Sequence, residues 1–112
     1  MVERREAAIG GMRRRLALEA PVEASDGLGG VTRSFVTVAA FWAQVEWLGG
    51  AEHWRQGRPE QTGSYRITLR WRGDLDAGRR LRDGARLFEI RAAADPDGGR
   101  RRLVCLAEEV TP

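Results

Sequence analysis

Apolar residues alternate with polar or basic ones along much of this chain. The alternation is plainest in SYRITLRWR, Ser64 to Arg72, where Tyr65, Ile67, Leu69 and Trp71 fall on one side and Arg66, Thr68, Arg70 and Arg72 on the other. A period of two predicts a strand with one buried and one exposed face. Upstream, MRRRLALEAPVE sets Leu16 and Leu18 opposite Arg15 and Ala17, and Pro21 cannot donate to a ladder, so a first strand at a sheet edge is expected from Met12. SDGLGG places glycines behind an aspartate and predicts a tight or bulged reversal. The β-branched and aromatic run that follows predicts strands at Val31 to Val38 and Phe41 to Leu48, or one long strand kinked at Ala39 and Ala40. In its second half Phe41, Ala43, Val45 and Trp47 share a face.

Between Gly49 and Gly63 the alternation lapses, and GGAEHWRQGRPEQTG reads as one long inter-strand loop, a length that in a compact domain usually marks function or disorder. After Arg72 the pattern predicts a short strand from Arg79 to Arg82, a hairpin turn at Asp83-Gly84, a strand from Arg86 to Ala92, a turn at Asp95 to Arg100 and a last strand from Arg102 to Glu109. Residues 1–11 are expected to form a flexible charged arm with room for a short helix from Glu3 to Ile9, ending at the Gly10-Gly11 pair. The expected fold is all-β: one domain over 12–112, a small antiparallel β-barrel or sandwich of about six or seven strands. Its core is expected to contain Leu16, Trp42, Val45, Ile67, Leu69, Phe88, Ile90 and Cys105, with Trp47 and Trp71 beside them and Trp54 left in the loop.

Composition narrows the function classes. With 112 residues, 42% of them hydrophobic, the chain can bury one modest core. Every basic residue apart from the lone histidine is arginine, but sixteen acidic residues against nineteen arginines leave a net charge of only +3, too little to imply strong sequence-independent DNA binding. Cys105 is the only cysteine, so neither an internal disulfide nor a cysteine metal site is available, and an inert buried thiol is expected. The N-terminus has no apolar signal region and no run of eighteen apolar residues occurs, so a soluble cytoplasmic product without a membrane segment is expected.

Candidate chemistry is sparse. Glu52-His53 begins like a zinc motif, but Arg55 and Gln56 stand where its second histidine would fall, which leaves a solvated loop histidine as the simpler reading. Asp74 with Asp76 and Asp95 with Asp97 lie in glycine-bearing turns, where aspartate serves the turn itself. GLGG has no following Lys-Ser or Lys-Thr and is not a phosphate loop. No catalytic residue, metal ligand or cofactor is assigned. The arginine groups Arg13 to Arg15, Arg79-Arg80 and Arg100 to Arg102 can meet phosphates or carboxylates, and base stacking is disfavoured because Trp71 shares the apolar face of its strand, away from the arginines.

In order and spacing, the pieces resemble the head-tail joining proteins of tailed phages, the stopper or head-completion family, which also occurs in gene transfer agents. The resemblance runs from about Gly11 to Glu109: the leucine-bearing strand at Leu16, Pro21, the DGLGG turn before Phe35, WAQVE at Trp42 to Glu46, Arg66, Ile67 and Leu69 to Arg70 in YRITLRWR, Gly84, Arg86, Phe88 and Ile90 in GARLFEI, and Leu103, Cys105 and Glu108 in RRLVCLAEE. It implies a small barrel that assembles with itself into a cyclic ring of about six or twelve copies, beneath the portal or its adaptor and above the tail terminator, in the neck of a virion or virus-like particle assembled in the bacterial cytoplasm. It implies that double-stranded DNA passes through the lumen without sequence specificity. By position, the loop at 49–63 would point into that channel and help to retain DNA, through Glu52, His53, Trp54, Arg55 and Arg58.

The arginine face, with Arg13, Arg14, Arg15, Arg66, Arg70 and Arg72, is then expected to meet acidic groups of neighbouring subunits or ring proteins, where desolvated guanidinium-carboxylate contacts favour it. The alternative is a nucleic-acid-binding barrel of the OB or SH3-like kind, with Arg66, Arg70 and Arg72 on the backbone.

Overall fold

The computed structural model describes residues 13–55 and 58–110, with side chains described throughout that span except at 50–62. Six strands form: β1 (Arg14–Ser25), β2 (Val31–Arg55), β3 (Arg58–Arg70), β4 (Arg80–Asp83), β5 (Arg86–Ala94) and β6 (Arg102–Val110). All pair antiparallel and close on themselves in the order β1-β2-β3-β6-β5-β4. The expected arm and its Glu3 to Ile9 helix lie outside the described residues.

Closure corrects the edge-strand expectation for β1, which pairs with β2 along its whole length and with β4 through Ala17 to Glu19. Pro21 is tolerated because it lies beyond the β4 rungs, where one side of the strand needs no donor. Where the six strands close, the ring leaves no unpaired edge to recruit another chain.

The alternation positions the interior. Leu16 and Leu18 of β1, Phe41 and Ala43 of β2, Ile67 and Leu69 of β3, Leu81 of β4, Phe88 and Ile90 of β5, and Leu103, Cys105 and Ala107 of β6 are all buried, and Val45 packs partly buried against them. Tyr65 meets the Phe88 ring edge-on at 5.0 Å. Each large buried side chain contributes about 1.5–3 kcal/mol of burial free energy.

Three bulges re-phase the alternation. Leu18 pairs with Ala39 and Glu19 with Thr37, which makes Val38 the extra residue; Leu48 and Arg91 are the extra residues at the other two. Val31 to Leu48 is therefore one strand, with its irregularity one residue before the expected alanine pair.

The tryptophans do not build the core. Trp42 is 54% exposed, Trp47 67% and Trp71 37%, which overturns their assignment to the interior. Trp42 sits between Phe41 and Ala43, both buried, so it faces outward. Trp47 lies on the inner phase but at the rim, where the Leu48 bulge and Gly49 (φ 133°) turn the strand away. Trp71 follows the end of β3, so the phase of that strand no longer constrains it.

The expected loop at 49–63 is also different from an unpaired connection. Its backbone stays in register from Gly49↔Ser64 to Arg55↔Arg58, so β2 and β3 continue as a long hairpin. Ladder pairing satisfies the backbone without side-chain alternation, which is why the sequence pattern lapses while the strands persist.

β2 carries a second hairpin at its other end. Its rungs from Val31 to Phe35 pair only with Pro21 to Ser25 of β1, past the stretch of β1 that β4 holds. The β2–β3 rungs at 50–63 likewise pass beyond the part of β3 that β6 holds, Ser64 to Arg70. One continuous strand thus projects two hairpins from opposite ends of the barrel. The β1–β2 reversal is closed by Asp26, whose Oδ1 accepts from Leu28 N at 2.7 Å and Gly30 N at 3.0 Å, with Gly27 and Gly29 at positive φ.

Candidate interaction surfaces

With the interior filled by apolar side chains, chemistry is confined to the outer wall and the hairpins. Among the described residues no group of three or more His, Cys, Asp or Glu side chains comes together. The turn aspartates are already engaged: Asp95 accepts from Arg100 N and Asp97 from Gly99 N, Asp97 also pairs with Arg101, and Asp76 pairs with Arg79. Arg72 donates from Nε and Nη2 to both oxygens of Asp74 at 3.0 and 2.9 Å, and that hydrogen bonding outweighs burial and holds the Asp74 carboxyl below its usual range. Cys105 is enclosed, and burial pushes its thiol up to about 12.

Half of the arginines of the expected contact face meet carboxylates of their own chain. Arg14 pairs with Asp83 at 3.2 Å, Arg66 with Glu46 at 3.5 Å, and Arg72 with Asp74. The deepest such contact is one that the sequence does not reveal. Glu19, only 6% exposed on the outer phase of β1, accepts from Arg80 Nε and from Arg82 Nε at 2.8 Å, and the Arg80 guanidinium lies 3.7 Å from the centroid of Phe35. The partners are 61 and 63 residues apart in the chain, and only barrel closure through the β1–β4 rungs brings them together.

Arg13, Arg15, Arg70 and Arg100 stand apart: among the described residues none has a carboxylate within ion-pair reach. Arg15 lies over Trp42 at 5.4 Å and Arg100 over Trp71 at 5.3 Å. Arg15 and Trp42 are register partners, and Arg70 stands one residue beyond the Ala43↔Leu69 rung. The outer wall therefore presents Arg15 stacked on the exposed Trp42 indole beside Arg70, and Arg100 stacks on Trp71 beyond the end of β3. Phase alone could have found Trp42, which alternates out of step with the core residues on either side; Trp71 and Arg100 meet only because Trp71 N donates to Arg101 O between β3 and β6.

The backbone of Glu52, His53, Trp54, Arg55 and Arg58 lies in the β2–β3 hairpin, with Glu52 opposite Gln61, His53 opposite Glu60, Trp54 opposite Pro59 and Arg55 opposite Arg58. Their side chains lie outside the described residues. Leu28 was not singled out from the sequence, yet at 91% exposed it is the most exposed large apolar side chain described, at the tip of the other hairpin.

A closed barrel with a packed interior, an arginine-tryptophan wall and two projecting hairpins has the build of a binding or assembly module. The family model for the phage head completion protein matches residues 8–110, and the chain belongs to that family. A chain in the virion of a native gene transfer agent particle is similar to it at 29% identity and a TM-score of 0.73, over 89% of this chain and 96% of that one. A protein from Shigella flexneri 2a, solved in solution, shares the fold at 24% identity and a TM-score of 0.68, over 92% of this chain and 96% of that one. No curated protein matches the sequence.

Proposed function

We propose that this protein is a structural neck component of a tailed phage or gene transfer agent particle. In this reading copies form a ring between the portal or adaptor and the tail terminator, keep packaged DNA in the head and offer the tail its docking surface. The observation that carries it is the near full-length likeness, at 29% identity, to a chain of a gene transfer agent virion. A filled barrel and arginines held by carboxylates suit a rigid, non-enzymatic part better than a reactive pocket. The β2–β3 hairpin leaves the barrel as a paired ribbon, a shape able to reach into a lumen from a fixed wall, and Gly49 to Gly63 is the segment assigned to DNA retention.

The test is genetic and physical. Particles made without this chain should package DNA and then lose it, with heads that carry no tails; tailed, DNA-filled particles in its absence would contradict the role. A second reading, nucleic-acid binding by the isolated barrel, is favoured by the exposed Trp42 and Trp71 stacks, which can supply base stacking and phosphate contacts together. It predicts tight, salt-dependent binding of oligonucleotides by the purified chain, lost on Trp42→Ala, whereas the neck reading requires neither.

A further inference from the structure

Two exposed surfaces of different character remain without a role, and they complement each other. The first is the β1–β2 hairpin. On the phase that continues the barrel interior it carries Ala20, Val22 and Ala24 opposite Val36, Ser34 and Thr32, without a single charged side chain, and Leu28 stands at its tip. A two-stranded ribbon is marginal in water unless something covers its apolar face. Asp26 at the tip gives Oδ1 to two backbone amides, and among the described residues no cation reaches its carboxylate. The second surface is the outer-wall patch of Arg15, Trp42 and Arg70, with Arg15 over the Trp42 ring and, among the described residues, no carboxylate in ion-pair reach of either arginine.

Resting on the ring reading, we propose that the β1–β2 hairpin of one copy seats on the arginine-tryptophan wall of the next. Asp26 meets Arg70, and Leu28 lies against Trp42. The charges match in kind: among the described residues, the hairpin tip offers a carboxylate without a cation, and Arg15 and Arg70 offer guanidinium groups without a carboxylate. Apolar matches apolar as well, which a phosphate backbone occupying the same wall would not provide, since it would leave Leu28 and the ribbon face uncovered. Tryptophan and arginine are also the residues that dominate the centres of protein interfaces. Because the two surfaces are different patches of one chain, the contact is heterologous, and repetition of such a contact generates a ring when its rotation closes.

Two small substitutions test this in assembled particles. Ser25→Cys, beside Asp26, and Ala40→Cys, exposed and two residues from Trp42 on the same outer phase, leave Asp26, Leu28, Trp42 and Arg70 in place, while buried Cys105 stays out of the chemistry. Mild oxidation of particles carrying the double variant should give a ladder of covalent multimers, with no ladder from either single variant. A ring imaged at the neck with no ladder overturns this interface and leaves the ring reading standing; absence of the ring overturns the reading itself. Charge reversal supplies an independent arm. Asp26→Arg and Arg70→Asp should each lower incorporation into particles about tenfold or more, and the double reversal should restore it. Normal incorporation of both single variants, or loss of duplex DNA binding by Arg70→Asp together with normal incorporation, would overturn the proposal.

Discussion

At the residue scale the decisive group is Glu19. Burial alone would raise its pKa, but the hydrogen bonds from Arg82 and Arg80 outweigh that and hold it below the ordinary value of 4.5. A carboxylate whose folded pKa is depressed contributes stability that is present above its unfolded pKa and lost as pH falls through the folded one. Thermal melts of the wild type should therefore decline below about pH 4.5, and Glu19→Gln should flatten that part of the decline. At neutral pH, Glu19→Ala leaves two half-buried guanidinium groups without their acid. The expected loss is about 2–3 kcal/mol by urea denaturation, lower than for a fully enclosed pair because both arginines keep some solvent. Cys105 supplies a second residue-level prediction. With its thiol pushed up to about 12 and no exposed surface, it should resist thiol reagents at pH 8 in the folded chain and react fully once urea unfolds it.

At the element scale, the strands show what a period of two can and cannot convey. Leu16, Ile67, Leu69, Phe88, Ile90 and Cys105 were readable as core because each lies mid-strand, in phase with its neighbours. Trp42 was readable too, as outward, and hydrophobicity competed with phase for its assignment; the structure follows phase. Trp47, Trp71 and the Val38 bulge were not readable, because they depend on where a strand leaves the barrel or takes an extra residue, and that is fixed by partners distant in the chain. The hairpin at 49–63 escaped because backbone pairing leaves no mark on polarity. Since those rungs involve no strand but β2 and β3, deleting Ala51 to Gln61 should leave the melting temperature within about 4 °C of wild type, by circular dichroism, with β content reduced only by the lost rungs. In particles the same deletion should let heads fill and then leak DNA. At the β4–β5 reversal, where Gly84 has φ 61°, Gly84→Ala should cost about 1 kcal/mol.

At the scale of the whole molecule, the closed barrel makes a rigid hub: its interior is packed, most of its described acids and arginines pair with one another, and β2 runs through it to project a hairpin at each end. Those features fit repeated assembly, where each copy must hold its shape while hairpins and wall make contacts. If the chain works as a ring in the particle neck, electron cryomicroscopy of purified particles at the tail vertex should reveal it. The expected result is a cyclic collar of density between portal and tail into which the six-stranded barrel fits copy by copy. Density between portal and tail fully explained by other proteins, with this chain absent from the particle, would contradict it.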